Sequence, residues 1–289
     1  MSSTPTAGHG QGFLASVVIP AHDEERGIAR TLAALLDGSC TLDVLVVCNG
    51  CTDGTADVAR GFGSAVRVLE IAEASKTAAV KAGNAATDVF PRVHLDADVT
   101  LTGADVIRLI EPLGSGSILA TAPRRVIASD ASNVVVRWYY EVWEQLPQVA
   151  EGLVGRGAFA LSRAAQERVD ALPQVMSDDL AVSDAFGPDE RLIVDTATVV
   201  VRPPRVVADL LRRRVRVVTG NRQASAVGVR RPDSSTGLST LASIARRRPS
   251  FVPRIGVFLV VTAIARFRAR RFIRSGDFTT WQRDESSRM

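Results

Sequence analysis

Two carboxylate pairs define the chemistry open to this chain. Asp96 and Asp98 flank Ala97 directly after the apolar run 92–95. Along a strand successive side chains alternate, so residues two apart point the same way. Two carboxylates aimed at one point repel unless a cation lies between them. Oxygen ligands suit Mg2+ or Mn2+, ions that also bridge diphosphate oxygens. The spacing therefore predicts a divalent-metal site at Asp96 and Asp98. His94 has the same parity but lies deeper in the strand, so a three-residue cluster is the weaker form of this expectation. A solvated strand end is the common explanation of an isolated Asp-x-Asp. The second pair, Asp178 and Asp179, opens a predicted helix, where the dipole favours a carboxylate. Capping needs one of the two at most. The other, with an unperturbed pKa of about 3.9, is ionised at neutral pH and can take a proton from a hydroxyl.

The chain has two lysines, Lys76 and Lys81, at the start of a predicted helix. Lys76 can face a diphosphate or lie on a solvated helix face; both readings fit. Cys48-Asn-Gly-Cys51 lacks the second Cys or His pair of a structural zinc site. It reads as two small residues at a strand end, and reduced cysteines fit a cytoplasmic setting. The chain has no Gly-x-x-x-x-Gly-Lys-Ser/Thr, no Gly-x-Gly-x-x-Gly after the first strand and no Gly-x-Ser-x-Gly. These absences argue against a P-loop NTPase, a dinucleotide enzyme and an α/β-hydrolase.

The elements that must hold these residues follow from hydrophobic period. Strands are predicted at 15–19, 42–47, 66–71 and 92–95. Helices are predicted at 24–36, 55–62 and 75–86, with Ile28, Leu32, Leu35 and Leu36 on one face of the first. Strands alternating with helices mean βαβ units and a mostly parallel sheet flanked by helices, an α/β fold. Ligands bind beyond the carboxyl ends of such strands. Asp23 and Glu24, the turn 49–53, and Asp96 with Asp98 all fall there. Farther on, 133–146 carries Trp138, Tyr139, Tyr140 and Trp143, mostly for packing. Strands are expected after Gly155 and at 192–201, a helix at 206–215 and a loop at 220–237.

The 289 residues are 46% hydrophobic and 23% charged, with a net charge of +4. The positive charge lies in the tail: residues 234–276 contain nine arginines and no acid. Within them the apolar run 255–265 falls short of the roughly 20 residues that span a bilayer. A core helix and a helix lying on an anionic membrane surface both fit. Nucleic acid fits less well, because the run is aliphatic rather than aromatic. Residues 1–14 read as a disordered leader, 15–230 as the main domain, and 231–289 as a basic tail.

Taken in order, these segments resemble family 2 glycosyltransferases of the GT-A fold, from about residue 16 to 220. Val17-Val-Ile-Pro-Ala-His-Asp-Glu-Glu is similar to the family's opening strand and donor-base loop, and Asn49-Gly-Cys-Thr-Asp-Gly-Thr to the turn that cups the base. Lys76 followed by Asn84 resembles the Lys…Asn-x-Gly segment, and Asp96-Ala-Asp98 stands where the family binds ribose and metal. Gly155-Arg-Gly-Ala-Phe-Ala-Leu-Ser resembles the acceptor-side strand, and Asp178-Asp179-Leu the Glu-Asp-x-x-Leu motif. Arg213-Arg-Val-Arg216 lies where processive members carry Gln-x-x-Arg-Trp. Cys48 and Asn49 replace two frequent aspartates, Asp23 replaces a frequent Asn, and the Gln and Trp of the last motif are missing.

The resemblance implies one GT-A domain with a nucleotide-sugar half, 15–125, and an acceptor half, 126–230. It implies a nucleotide-diphosphate sugar donor held by Pro20, Ala21, Asp23, Glu24, Asn49, Lys76 and Asp96, and Mg2+ or Mn2+ at Asp98 and Asp96. It implies acceptor contacts from Arg156, Gly157, Asp178, Arg213 and Arg216, and Asp179 as general base in an inverting displacement. The acceptor would be a sugar, a lipid-linked sugar or a small hydroxyl compound. The setting would be cytoplasmic, with peripheral membrane contact through the tail, in cell-envelope or polysaccharide synthesis. Rival readings are a nucleotidyltransferase, which would want a Gly-rich basic loop where 21–25 is acidic, a retaining transferase, and a non-catalytic sugar-nucleotide binder.

Overall fold

The computed structural model describes residues 12–38, 41–172, 178–226 and 237–275. The segment read as a leader lies outside these as far as residue 11, as do residues 227–236 of the expected loop. The first half follows the expected alternation: β1 (Ala15–Ala21), α1 (Ile28–Leu35), β2 (Leu42–Asn49), α2 (Thr55–Arg60), β3 (Val66–Ile71), α3 (Lys76–Ala85) and β4 (Arg92–Leu95). There follow β5 (Thr100–Leu101), α4 (Gly103–Ile110), β6 (Ala120–Ile127), α5 (Val134–Glu144), α6 (Pro147–Ala150), β7 (Ala158–Leu161), α7 (Arg163–Asp170), α8 (Asp178–Ala185), β8 (Arg191–Val201), α9 (Val207–Ala226), α10 (Leu238–Arg247) and α11 (Val252–Ser275).

The strands form one mixed sheet in the order β3-β2-β1-β4-β7-β6-β8-β5. β1 runs parallel to β2 and β4, and β2 parallel to β3; β7 is antiparallel to β4 and β6. β1 continues two residues past its expected end, through Pro20. Proline has no N–H to give a ladder, so it needs an unpaired flank. It has one: β4 pairs with β1 only at Ser16, Val17 and Val18, while Pro20 keeps its register with Val47 of β2.

The chain divides into two compact units. The first comprises residues 1–123, 157–167 and 194–199, and the second 124–156, 168–193 and 200–289. In the first, Val18, Leu45 and Val47 of the sheet bury Ala79 of α3. Gly83 of α3 lies against the same surface. A Cβ there would stand 2.4 Å from Val18 Cγ1 and 3.2 Å from Val47 Cγ2, so the absence of a side chain sets how closely α3 approaches the sheet. On α1 the buried face is Ile28, Thr31, Leu32 and Leu35.

In the second unit α11 packs Ile255, Phe258 and Val261 against Val136, Tyr139 and Leu210. The Tyr139 ring stacks on Phe258 at 5.0 Å, and burial pushes its phenol up to about 12. The aromatic cluster at 138–143 is thus largely packing. The tail departs from expectation. The apolar run lies inside a 24-residue helix, and Pro249–Arg271 is long and apolar enough to cross a membrane by length and composition. Arginine is a good helix former, so the arginines extend the helix instead of ending it. Residues 220–226, expected in a loop, are the last turns of α9.

Candidate active site

The carboxyl ends of β1 and β2 carry two turns laced together by side chains. Asn49 closes β2, buried, and its Nδ2 donates to Ala21 O at 2.7 Å. Its Oδ1 is also buried and has no hydrogen-bond partner among the described residues. His22 Nδ1 lies 2.5 Å from Asn49 O. Asp23 adopts φ 47°, a left-handed conformation in which Asp is better tolerated than most residues. Its Oδ1 accepts from Thr52 N at 2.6 Å. Glu24 is buried, and its N–H donates to Thr55 Oγ1 at 2.7 Å. Gly50, at φ 56°, passes so close to Ala74 that a Cβ would lie 2.8 Å from the alanine's Cβ.

β4 stops at Leu95, so Asp96-Ala97-Asp98 is a turn and not a strand end. The alternation that predicted two parallel carboxylates does not apply. The N–H of Asp96 donates to Gly157 O at 2.7 Å, and Val99 N turns back toward Asp96 O at 3.4 Å. Gly157, expected on the acceptor side, abuts the acidic turn. At φ 66° a Cβ would lie 2.5 Å from Val99 Cγ1 and 3.3 Å from Asp96 Oδ2. His94 Nε2 lies 2.9 Å from Gln166 Oε1, and its ring stacks on Phe159.

Lys76 is the first residue of α3, whose N-terminus is capped by Ser75 Oγ accepting from Ala78 N. Its Nζ meets Asp96 Oδ1 at 2.9 Å, with both side chains about one-third exposed (34% each). Asp98 is half-buried and has no side-chain hydrogen bond or ion pair among the described residues. The turn therefore carries one carboxylate already facing a cation and a second with none. Hard oxygen donors of this kind fit Mg2+ or Mn2+.

A residue missed from sequence holds the turn in place. Thr31 Oγ1 lies 2.8 Å from both Ala97 O and Val99 O, its single proton shared between them. A polar residue on the otherwise apolar buried face of α1 was the available signal. Thr31→Val is nearly isosteric and leaves two buried carbonyls without their donor. The expected cost is about 1–3 kcal/mol of stability, with weaker Mn2+ binding at the turn. Thermal melts with and without Mn2+ check both effects.

The first unit thus brings together Pro20, Ala21, Asp23, Glu24 and Asn49 at the ends of β1 and β2, and Lys76, Asp96 and Gly157 with Asp98 on the acidic turn. The remaining predicted residues belong to the second unit. Arg156 is buried, with Nε donating to Gly152 O at 3.0 Å and Nη2 to Ala150 O at 2.7 Å, so its guanidinium supports its own loop. Arg213 and Arg216 lie half-buried on α9. Asp178 and Asp179 are the first two residues of α8, and their side chains lie outside the described part of the structure.

A family model for glycosyl transferase family 2 matches residues 16–157. Uncharacterized glycosyltransferases of Mycobacterium tuberculosis and Mycobacterium bovis are each 32% identical over 143 residues, covering 47% of this chain and 63% of the relative. The chain thus spans a little under two-thirds of the curated relatives it matches. Among solved structures, a Pyrobaculum calidifontis mannosyltransferase in complex with GDP-mannose and Mn2+ is similar with a TM-score of 0.61 at 19% identity, over 91% of this chain and 79% of that one. Glucosyl-3-phosphoglycerate synthase from Mycobacterium tuberculosis, in complex with Mn2+, UDP and glucosyl-3-phosphoglycerate, is similar with a TM-score of 0.54 at 22% identity, over 76% of this chain and 82% of that one. At these identities the two likenesses establish the fold.

Proposed function

We propose, because residues 16–157 match a model for glycosyl transferase family 2 and the sheet is of the GT-A type, that the chain transfers a sugar from a nucleoside-diphosphate donor to an acceptor hydroxyl. The observation that carries this reading is the acidic turn: Asp96 held to Lys76 at 2.9 Å, beside Asp98 with no partner among the described residues. Asp98 and Asp96 would hold Mg2+ or Mn2+. The ion would supply positive charge to the departing diphosphate. The two structural neighbours, each bound to a nucleotide and Mn2+, support this assignment.

Lys76 does two jobs in this reading. With no donor bound it neutralises Asp96; with donor bound its ammonium, at the N-terminus of α3, faces diphosphate oxygens. Asn49 Oδ1 is an acceptor for a donor-base N–H, and Asp23 and Glu24 shape the rim of the base pocket. Asp179 removes the acceptor proton, and the anomeric carbon inverts. Isothermal titration of nucleoside diphosphates with and without Mn2+ tests the reading. Binding that needs the ion supports it, and equal affinity in both conditions removes it.

A peripheral membrane contact, with the enzyme on the cytoplasmic face, is part of the same proposal. Beside its buried face, α11 presents a second apolar stripe. Val252, Leu259, Val260, Ile264 and Phe267 are between 37% and 60% exposed, with Arg266, Arg268, Arg270 and Arg271 exposed beyond them. An aliphatic stripe beside arginines matches an anionic bilayer surface, where a lipid-linked acceptor would lie. The protein is expected to float with vesicles containing anionic lipid at low salt and to release at high salt. Leu259→Glu/Phe267→Glu should abolish flotation without lowering the melting temperature. No flotation at low salt removes this part of the proposal.

A further inference from the structure

We propose a second cation site, built by His22, Asp23 and Cys51 in the two turns that follow β1 and β2, and suited to a borderline transition-metal dication such as Zn2+. One ligand atom from each of the three residues lies within 4.8 Å of the others. The three residues are half-buried, so an ion has both access and shelter.

Each ligand already has the outer partner that metal ligands characteristically carry. His22 Nδ1 faces the carbonyl oxygen of Asn49, which can only accept, so Nδ1 carries the proton and Nε2 the lone pair. A ligating histidine donates its other N–H to a carbonyl or carboxylate in the same manner. Asp23 Oδ1 is held by Thr52 N, while Oδ2 lies 3.9 Å from His22 Nε2. Cys51 Sγ receives the N–H of Asp23 at 3.4 Å and donates its S–H to Ala21 O at 3.5 Å. Cys48, buried below, contacts the Cys51 side chain, and burial pushes its own thiol up to about 12. It is not one of the three clustered residues and is a neighbour of the site, not a ligand.

The donor set decides the ion. Imidazole nitrogen and thiolate sulfur favour Zn2+ over Mg2+ or Mn2+, which suit the all-oxygen turn at Asp96 and Asp98. Bonds of about 2.0–2.3 Å place tetrahedral ligands roughly 3.5 Å apart, which side-chain torsions reach from the present separations. Three protein ligands leave a fourth position open to solvent. Binding exchanges one proton: the Cys51 S–H bond breaks, sulfur bonds the ion, and the proton passes to solvent. None of its ligands belongs to the acidic turn, but Asp23 is shared with the rim of the proposed base pocket.

Cobalt titration of the full chain under reducing conditions tests the proposal. One equivalent of Co2+ is expected to raise a thiolate-to-cobalt charge-transfer band that Zn2+ abolishes and excess Mg2+ leaves in place. Cys51→Ser should lose the band at unchanged melting temperature. His22→Gln should weaken Co2+ binding by more than the roughly 10–100-fold typical of outer-shell changes. Asp98→Ala should keep the band. Absence of the band in the parent protein, its survival in Cys51→Ser, or its loss in Asp98→Ala overturns the assignment.

Discussion

Turnover of the Asp179→Asn enzyme is expected to fall by about 10²–10⁴-fold, with donor affinity nearly unchanged, because that range is what general-base catalysis contributes. Asparagine keeps the shape of the side chain and removes the proton acceptor. Successive residues at a helix start project about 100° apart, so Asp178 and Asp179 cannot both serve one acceptor hydroxyl. α8 begins at Asp178, with Asp179 second. A carboxylate in the first turn of a helix gains about 0.3–1 kcal/mol from the dipole. Asp178→Asn should therefore cost stability of that order and little turnover. Single-turnover kinetics with saturating donor separate the two effects. Near-full turnover in Asp179→Asn would move the base to Asp178 or favour a retaining mechanism.

The second large effect is expected at Asp98. In Asp98→Ala the gain in nucleoside-diphosphate affinity on adding Mn2+ should vanish. Transfer should drop on the order of 10²–10³-fold, the range for removing one preorganised charge-stabilising group. Asp96, which meets Lys76 at 2.9 Å when no donor is bound, is then the one carboxylate left on the turn. That pair is about one-third exposed and worth at most about 1 kcal/mol, so the fold should survive the change. Calorimetry with and without Mn2+, beside a thermal melt, reads both quantities. Retention of full metal dependence in the variant would place the ion elsewhere.

The parts of this molecule that local pattern controls were legible in its residues. β1 to β4 are short β-branched runs with little else to become, and their helices carry clear faces. α1 begins later than its apolar period suggests, because Glu24 to Gly27 form a turn whose Glu24 O takes the N–H groups of Gly27 and Ile28. The acidic turn was misread as strand because its shape is set from far along the chain. Gly157 O takes the Asp96 N–H, and Thr31 holds the carbonyls of Ala97 and Val99. The cluster at His22, Asp23 and Cys51 was equally hidden. Cys51 lies 28 residues from Asp23, and only the pairing of β1 with β2 brings them together. β5, α4 and β6 went unread, since 99–127 mixes short apolar pieces with no sustained period.

Gly83 makes α3 a lever. The helix rests on the sheet at that glycine, while Lys76 sits seven residues toward its free end, roughly 10 Å away at 1.5 Å per residue. A methyl group at the resting point would act as a wedge against Val18, tipping the helix at 83 and swinging its tip farther. The ammonium of Lys76 would then travel relative to Asp96 although neither residue had changed. The reach of the positive charge is thus calibrated by an atom that is missing two turns below it.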